Sequence, residues 1–477
     1  MSSIGSILSS ARTAMQAAQI QMQTTSQNIA NAGVEGYSVQ KVQLAGNTPQ
    51  RFTYGNIGTG VLVQGITQNR DKLLDAQFRT ASGNASKQTA TSDTLGRIEA
   101  VLGEPSTTGL SNSLDLFWNS WSDLASDPTS PSTRGVVVQR GAQVSSQLNG
   151  FATQLDQIDR DARATLNSDM SKINDLVKQI AGITPQIVAS EANGQSPAND
   201  LRDSRNRMMD QLSSLADAQV IDRQDGSVGV YLGGRVLVDG TAYHQLSSSG
   251  GNPVIIMFAG DTMALQKIGG SIGANVATIN QTIPGVMTNL DTLASNLVQQ
   301  VNQIHSSGVV FANGSTLATP AGNFFNQSAT IVGPGDPFQT ARGISVSASL
   351  SDLSLVAASG GGSAGPGNNT VATQLAALRD NQLNLTAANG TAVTGSLGAF
   401  YRYTVSDVAL ATSNAISQST VQGTLATQAD TRRQSVSGVA TDEELVNLIK
   451  QQQAYAAAAR LISVVAEISK TLGDLGR

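Results

Sequence analysis

The sequence predicts a mainly α protein with smaller β elements: terminal coiled-coil helices, a long-helix bundle domain and a small β-rich outer domain. Three observations carry that expectation. Apolar residues recur at steps of three and four at both ends and through much of the middle. One block, Val220 to Leu246, instead alternates apolar and polar residues around Asp225-Gly226 and Gly233-Gly234. With only 4% aromatic and 13% charged residues among 477, the chain suits slender packing of small side chains better than a dense globule, and its length calls for about two to four domains.

From the start, Ile4, Leu8, Ala11, Met15, Ala18, Met22, Thr25 and Ile29 recur at alternating steps of four and three, the seam of a heptad pattern. Arg12 is the only charge before Glu35. A surface helix dresses its far face with charge, whereas this one uses Ser, Thr and Gln, so its other faces are free to meet protein. The plainer alternative is an amphipathic helix lying on its own domain. In "NIANAGVEGYS", Asn28 to Ser38, Gly33 or Gly36 ends the helix and Tyr37 anchors the exit, its ring packed and its hydroxyl near water. A generic helix stop with an incidental tyrosine is the alternative there.

Leu110, Leu114, Phe117, Trp121 and Leu124 form the next seam, stopped by Pro128. Val144, Leu148, Phe151, Leu155, Ile158 and Ala162 begin a rod that continues through Ile173, Leu176, Ile180 and Ile187, with a kink expected at Pro185. A shorter helix carries Leu201, Met208, Leu212 and Leu215, and a long one runs from Val276 to Ile304, interrupted by Pro284. Between these two lies the alternating block, read as a meander of hairpins. After His305 the texture turns to short runs with Gly, Asn, Ser and Pro, and Ala358 to Asn369 reads as a flexible loop. Helical spacing resumes near Val371.

The last helix is well specified at its start: Thr441 and Glu444 have capping-box spacing, and Asp442 and Glu443 sit in the favourable first turn. Leu445, Leu448, Gln452, Tyr455, Ala459, Ile462, Ala466 and Ser469 trace one seam, and Leu461, Val465, Ile468, Leu472 and Leu475 a second beside it. One helix is thus expected to touch two neighbours. Few large side chains lie on either terminal helix, and a helix in water is marginal without packing partners, so both ends are expected to be mobile in the free chain and ordered on assembly. The organisation expected is 1–80 with 436–477 as a terminal coiled-coil assembly domain, 81–218 with 269–305 and 371–435 as the helix bundle, 219–268 as the meander and 306–370 as a small irregular or β outer region.

Composition and motifs point away from catalysis. The chain has no cysteine, which removes disulfides, thiolate metal sites and cysteine nucleophiles. His244 and His305 lie in unrelated segments, without an HExxH or a ligand-spaced group of acids. The glycine-rich stretches lack a P-loop lysine or a strand-then-helix setting, and no GxSxG occurs. Asp442, Glu443 and Glu444 read as helix caps; Trp118 and Trp121 read as core. No catalytic, cofactor-binding or metal site is expected. Lys and Arg form no run that would suit nucleic acid, and no membrane-spanning window or Sec-type leader is read, so a route out of the cell would have to be another one.

The stretch "SSARTAMQAAQIQMQTTSQNIANAGVEGYSVQKVQL" resembles the N-terminal signature of the flagellar rod, hook and hook-associated axial proteins, and "SVSGVATDEELVNLIKQQQAYAAAARLISVVAEISKTL" their C-terminal one. The segments "GEPSTTGLSNSLDLFWNSWSDLASDP", "NDLRDSRNRMMDQLSSLADAQVIDRQDGSVGVYLGGRVLVDG" and "IHSSG" are similar to the hook-associated members. The similarity covers most of the chain and is weakest between about 310 and 435. There are departures: Gly33, Val34 and Glu35 stand where the family commonly has Asn-Thr-Pro, and Val39 stands where an arginine is common.

The resemblance implies a structural protein of the extracellular flagellum. It would be exported unfolded through the flagellar type III apparatus, held beforehand by an export chaperone at its C-terminal helix, and would polymerise through its ends between hook protein and a second junction protein, ahead of the filament. The assembly-seam residues so implied are Ile4, Leu8, Met15, Met22, Ile29, Asn31, Gly36 and Tyr37 at the N-terminal end. At the C-terminal end they are Leu445, Leu448, Tyr455, Ile462, Val465, Ile468 and Leu472. The alternatives are another axial component, such as a distal rod or hook protein, or a surface adhesin.

Overall fold

The computed structural model describes residues 2–52, 55–192, 197–311, 318–326, 340–361 and 365–475. It is mainly α with smaller β elements. The helices in chain order are α1 (Ser2–Ala30), α2 (Lys72–Leu102), α3 (Leu110–Ser126), α4 (Pro131–Glu191), α5 (Asn199–Ala216), α6 (Gly270–Ala277), α7 (Ile283–His305), α8 (Thr340–Gly343), α9 (Thr370–Ala377), α10 (Leu397–Ser437) and α11 (Thr441–Leu475).

Two antiparallel helix pairs lie end to end. In one, α1 packs on α11; in the other, α2 packs on α10, with the Tyr401 hydroxyl donating to Leu102 O at one end and the Arg433 guanidinium 3.7 Å from the Phe78 ring at the other. Local sequence explains the ends of α2. The Asp71 side chain accepts from the Leu73 and Leu74 amides, and Gly103 terminates the helix at φ +58°.

At 61 residues, α4 is about 90 Å long at 1.5 Å per residue, and Pro131 occupies its first turn, where no amide is missed. It runs through two hydrophobic cores. Its first half, Val137 to Ile158, packs with Ile98, Leu110, Phe117, Trp121, Leu290, Leu297, Phe400 and Tyr401. Its second half, Ala162 to Ala181, packs with Met209 and Leu212 of α5, Ile272 of α6 and the sheet residues Val228, Val230 and Leu237.

The expected meander is a four-stranded antiparallel sheet of β5 (Gln219–Asp222), β6 (Val228–Leu232), β7 (Arg235–Asp239) and β8 (Ala242–Tyr243), in that order. Gly233 and Gly234, both at positive φ, make its central two-residue turn. The interruption expected at Pro284 is a single π-helical turn, Thr278–Thr282, between α6 and α7. Proline cannot donate to the preceding turn, and widening that turn by one residue keeps the two helices continuous.

Where 306–370 was expected to lie outside, its described residues Phe324, Phe325, Ala341, Ile344, Leu350, Val356 and Ala357 are buried in the same core as Trp121 and Leu148. Large apolar side chains in a loop-like texture find the helix faces they need, and Asn302 holds them there by accepting from the Phe324 and Phe325 amides at 2.9 Å. The loop expected over Ala358 to Asn369 is anchored at its start, where Ala358 and Ser359 are buried and Val309 N donates to Ser359 O; residues 362–364 of it lie outside the described residues.

The region expected as terminal helices also contains strands: β1 (Gln40–Gly46) pairs antiparallel with β4 (Val61–Gln68), and β2 (Gln50–Phe52) with β3 (Gly55–Ile57). The hairpin leans on α1, where the Val61 amide donates to Thr13 Oγ1 at 3.2 Å.

Candidate functional site

The two terminal helices meet along a narrow seam. Gln451 Nε2 donates to Thr25 Oγ1 at 3.1 Å, and the buried residues continue from there in heptad steps: Thr25, Ala18 and Ala11 down α1, and Ala458 and Val465 up α11. Small side chains let the helices approach closely but bury little apolar surface.

Of the sequence-predicted seam residues, Ala11, Ala18, Thr25 and Val465 are fully buried in the single chain. Ile4, Met15, Met22, Ile29, Leu448, Tyr455 and Ile462 are partly covered. Leu8, Leu445, Ile468 and Leu472 are 43% to 52% exposed in the single chain, although Leu472 continues the heptad steps of Gln451, Ala458 and Val465 at the end of α11. Val446, Ile449, Leu461 and Val464 are likewise exposed, so α11 turns most of its larger apolar side chains outward and buries only Ala458 and Val465 among its described apolar residues. The heptad register of the seam is shifted from Leu445 to Glu444, running through Gln451, Ala458 and Val465 against Thr25, Ala18 and Ala11 of α1.

Where α1 ends and α11 begins, a buried polar cluster replaces the apolar seam. Asn28 is 1% exposed and fully used: Nδ2 donates to Gln40 O at 2.9 Å and to Glu444 Oε2 at 2.8 Å, while Oδ1 accepts from the Tyr37 hydroxyl at 2.9 Å and the Gln40 amide at 3.0 Å. Burial, reinforced by Asp200, Asp203 and Glu444, pushes the Tyr37 hydroxyl up to about 12, so it stays a donor. Gly36 is at φ +75°, and a Cβ there would overlap Arg207 Cγ, which explains why this turn ends on glycine. Asn31 donates to Gln27 O, inside its own helix turn.

The chain after the turn is tied to α5. Ser38 donates through its amide and its hydroxyl to Asp203, at 3.0 and 2.6 Å. Arg70 reaches Asp203 at 3.2 Å and grips Asp75 through two nitrogens. Burial works against the Arg70 charge, but Asp75, Asp210 and Asp203 outweigh it and its pKa is raised. At the other side of the junction, Val39 N donates to Ser437 O at 2.8 Å and Asn69 Nδ2 to Val436 O at 2.7 Å. A cleft of about 860 Å³ opens between the two turns, lined by Glu35, Tyr37, Lys41, Arg433, Val439 and Asn447 among others.

Asn28, Ser38, Asp203 and Arg70 were absent from the predicted site residues. Asn28 falls on the exit motif and Asp203 on the short middle helix, but their pairing spans 165 residues between Ser38 and Asp203, which no periodicity reports. Chemically the arrangement positions backbones: its carboxylates are paired with donors. No group of three or more potential metal ligands occurs among the described residues.

Comparison with known proteins follows the same division of the chain. A family described as Flagellar hook-associated protein FlgK helical domain matches residues 95–325; Flagella basal body rod protein matches 8–37, and Flagellar basal body rod FlgEFG protein C-terminal matches 432–475. The two terminal matches end and begin at the polar junction. Flagellar hook-associated protein 1 of Bacillus subtilis (strain 168) is 28% identical over 512 residues, covering 98% of this chain and 98% of that protein. The protein of the same name from Escherichia coli (strain K12) is 23% identical over 552 residues, covering 98% and 99%. That of Salmonella typhimurium is 27% identical over 318 residues, 64% of this chain and 57% of that protein. The structure of the flagellar hook junction protein FlgK from Burkholderia pseudomallei superposes with a TM-score of 0.64 over 76% of this chain and 100% of that one, at 17% identity, a likeness of fold.

Proposed function

Because this chain belongs to the flagellar hook-associated protein 1 family, we propose that it forms the junction between hook and filament, polymerising through its terminal helices. The observation that carries the assembly mode is the pair of outward rows on α11, Leu445 with Ile449 and Leu461 with Val464 and Ile468, on a helix that meets its own partner through Glu444, Gln451, Ala458 and Val465. Exposed apolar residues in such rows call for protein neighbours, and a head-to-tail contact between copies propagates into a ring or helix. In this division of labour 1–80 with 436–477 serve assembly, while the helical body and its sheet form the layer outside.

The partners are further copies of the chain, hook protein below and a second junction protein above, with secretion through the flagellar type III apparatus and an export chaperone on α11 beforehand. Deleting the gene tests this: bare hooks with filament protein shed into the medium are expected, whereas missing hooks would assign the chain to the rod or the hook itself.

A further inference from the structure

One face of α5 is polar throughout. Asn199, Asp203, Asn206 and Asp210 recur at steps of four, three and four, which keeps them on one stripe of the helix. Every one of them binds the chain that leads to or from a terminal helix. Asn199 Nδ2 donates to Ile66 O at 2.9 Å. Asp203, 4% exposed, collects the Ser38 amide and hydroxyl, Gln68 Nε2 at 2.9 Å and Arg70 at 3.2 Å. Asn206 accepts from Arg79 at 3.3 Å, and Asp210 accepts from Arg79 at 2.7 Å and from Arg433 at 2.6 Å. The apolar residues Met209 and Leu212 of the same helix face the body core.

We propose that this stripe is a docking strip, which fixes the roots of both terminal helices to the helical body in the free chain. It is polar where an apolar contact would have served, and polar pairing admits one register. Ser38 meets both oxygens of Asp203; sliding by a residue would take the Ser38 amide away from Oδ2, leaving that buried oxygen unpaired while Gln68 and Arg70 hold only Oδ1. Arg433 and Arg79 meet on the two oxygens of Asp210, joining the end of α10 to α2 at the same helix. Asp203 and Asp210 are positioning residues: they make α1 and α11 leave the body from adjacent fixed points while their shafts wait for neighbours. The consequence for assembly rests on the proposed function, but the docking itself does not.

The native chain has no cysteine, so two exposed lysines replaced as Lys41→Cys on β1 and Lys178→Cys on α4 take spin labels cleanly in the full-length monomer. The parent is expected to give one narrow distance and slow hydrogen exchange over residues 38–46 and 61–70. In the double variant D203N/D210N the distance should broaden and exchange over those residues should accelerate at least about tenfold, the scale of a lost charge-assisted hydrogen bond, while amides of α3 and α7 stay protected. Asp239→Asn, which removes an exposed pair with Arg223, should change neither. A retained narrow distance, unchanged exchange at the roots, or equal loss of protection in α3 and α7 would each overturn the proposal. No flagellar partner enters the measurement, so a wrong hook-filament assignment would leave its outcome untouched.

Discussion

Asn28 and Glu444, 416 residues apart in the chain, are joined by a 2.8 Å hydrogen bond from the Asn28 amide to a Glu444 carboxylate oxygen. Because the same asparagine also holds Gln40 and Tyr37, it ties the end of the N-terminal helix to the start of the C-terminal one. Asn28→Ala leaves several buried groups unpaired, at about 1–3 kcal/mol each, and is expected to abolish swimming and junction incorporation in cells. Glu444→Gln keeps an acceptor at the position and should retain most of both, as scored by motility and by antibody labelling of hook ends.

Gly36→Ala should loosen the exit turn twice over, through φ +75° and through the approach of its Cβ to Arg207. The backbone part costs about 1 kcal/mol, and the overlap adds to it unless Arg207 moves. Pairing it with Arg207→Ala should recover the steric part and leave the backbone part. A double-mutant cycle read by hydrogen exchange over residues 34–40 separates the two; a cycle with no coupling would contradict the contact.

His305 gives the body a pH dependence. The ring is fully buried against Trp121 and Phe324, with Nδ1 bonded to Gly322 O and Nε2 accepting from the Ala357 amide. Burial pushes its pKa down from 6.5 to about 4, with the Gly322 carbonyl opposing. The unfolded chain therefore takes up this proton first as pH falls. The contribution is complete above pH 6.5, is lost between 6.5 and 4, and amounts to about 3 kcal/mol at 1.36 kcal/mol per unit. Urea titrations of wild type and His305→Gln at several pH values should show a pH-dependent difference in that window and a constant one above it.

Phe324→Ala should destabilise the body by about 3–5 kcal/mol, since its ring packs edge-on to Trp121 and Phe325. A change below about 1 kcal/mol in urea unfolding would contradict the burial of Phe324 in this core.

Leu445→Ser and Ile468→Ser act on exposed positions, so monomer stability should move by no more than about 0.5 kcal/mol. Assembly should fail all the same. Normal flagella carrying both substitutions would show that the outward rows meet nothing.

Much of the architecture was legible because it is periodic. The α3 stripe Leu110, Leu114, Phe117, Trp121 and Leu124 is buried throughout, and the paired glycines located the turn of the sheet. What periodicity cannot carry is partnership. Leu445 and Leu448 mark an apolar face correctly, yet the intramolecular seam runs one residue away, through Glu444, Gln451, Ala458 and Val465. The β1 and β4 hairpin was present in the alternation of "QKVQLAG" and "VLVQGITQ" but was overshadowed by the helix before it. Phe324 and Phe325 sit in a segment with the texture of a loop, and only the tertiary contact with Asn302 and Trp121 makes them core. The docking stripe on α5 carried an i, i+4, i+7, i+11 pattern of Asn and Asp, which looks like a solvated face until its partners are placed.

Hydrogen exchange on the full-length chain, first as a dilute monomer and then within assembled flagella, bears most directly on terminal helices that fold against neighbours from fixed roots. Residues 2–27 and 448–475 are expected to exchange almost freely in the monomer while 38–46 and the α3–α4 core are protected, and to become protected on assembly. Slow exchange across both terminal helices in the isolated monomer would contradict it.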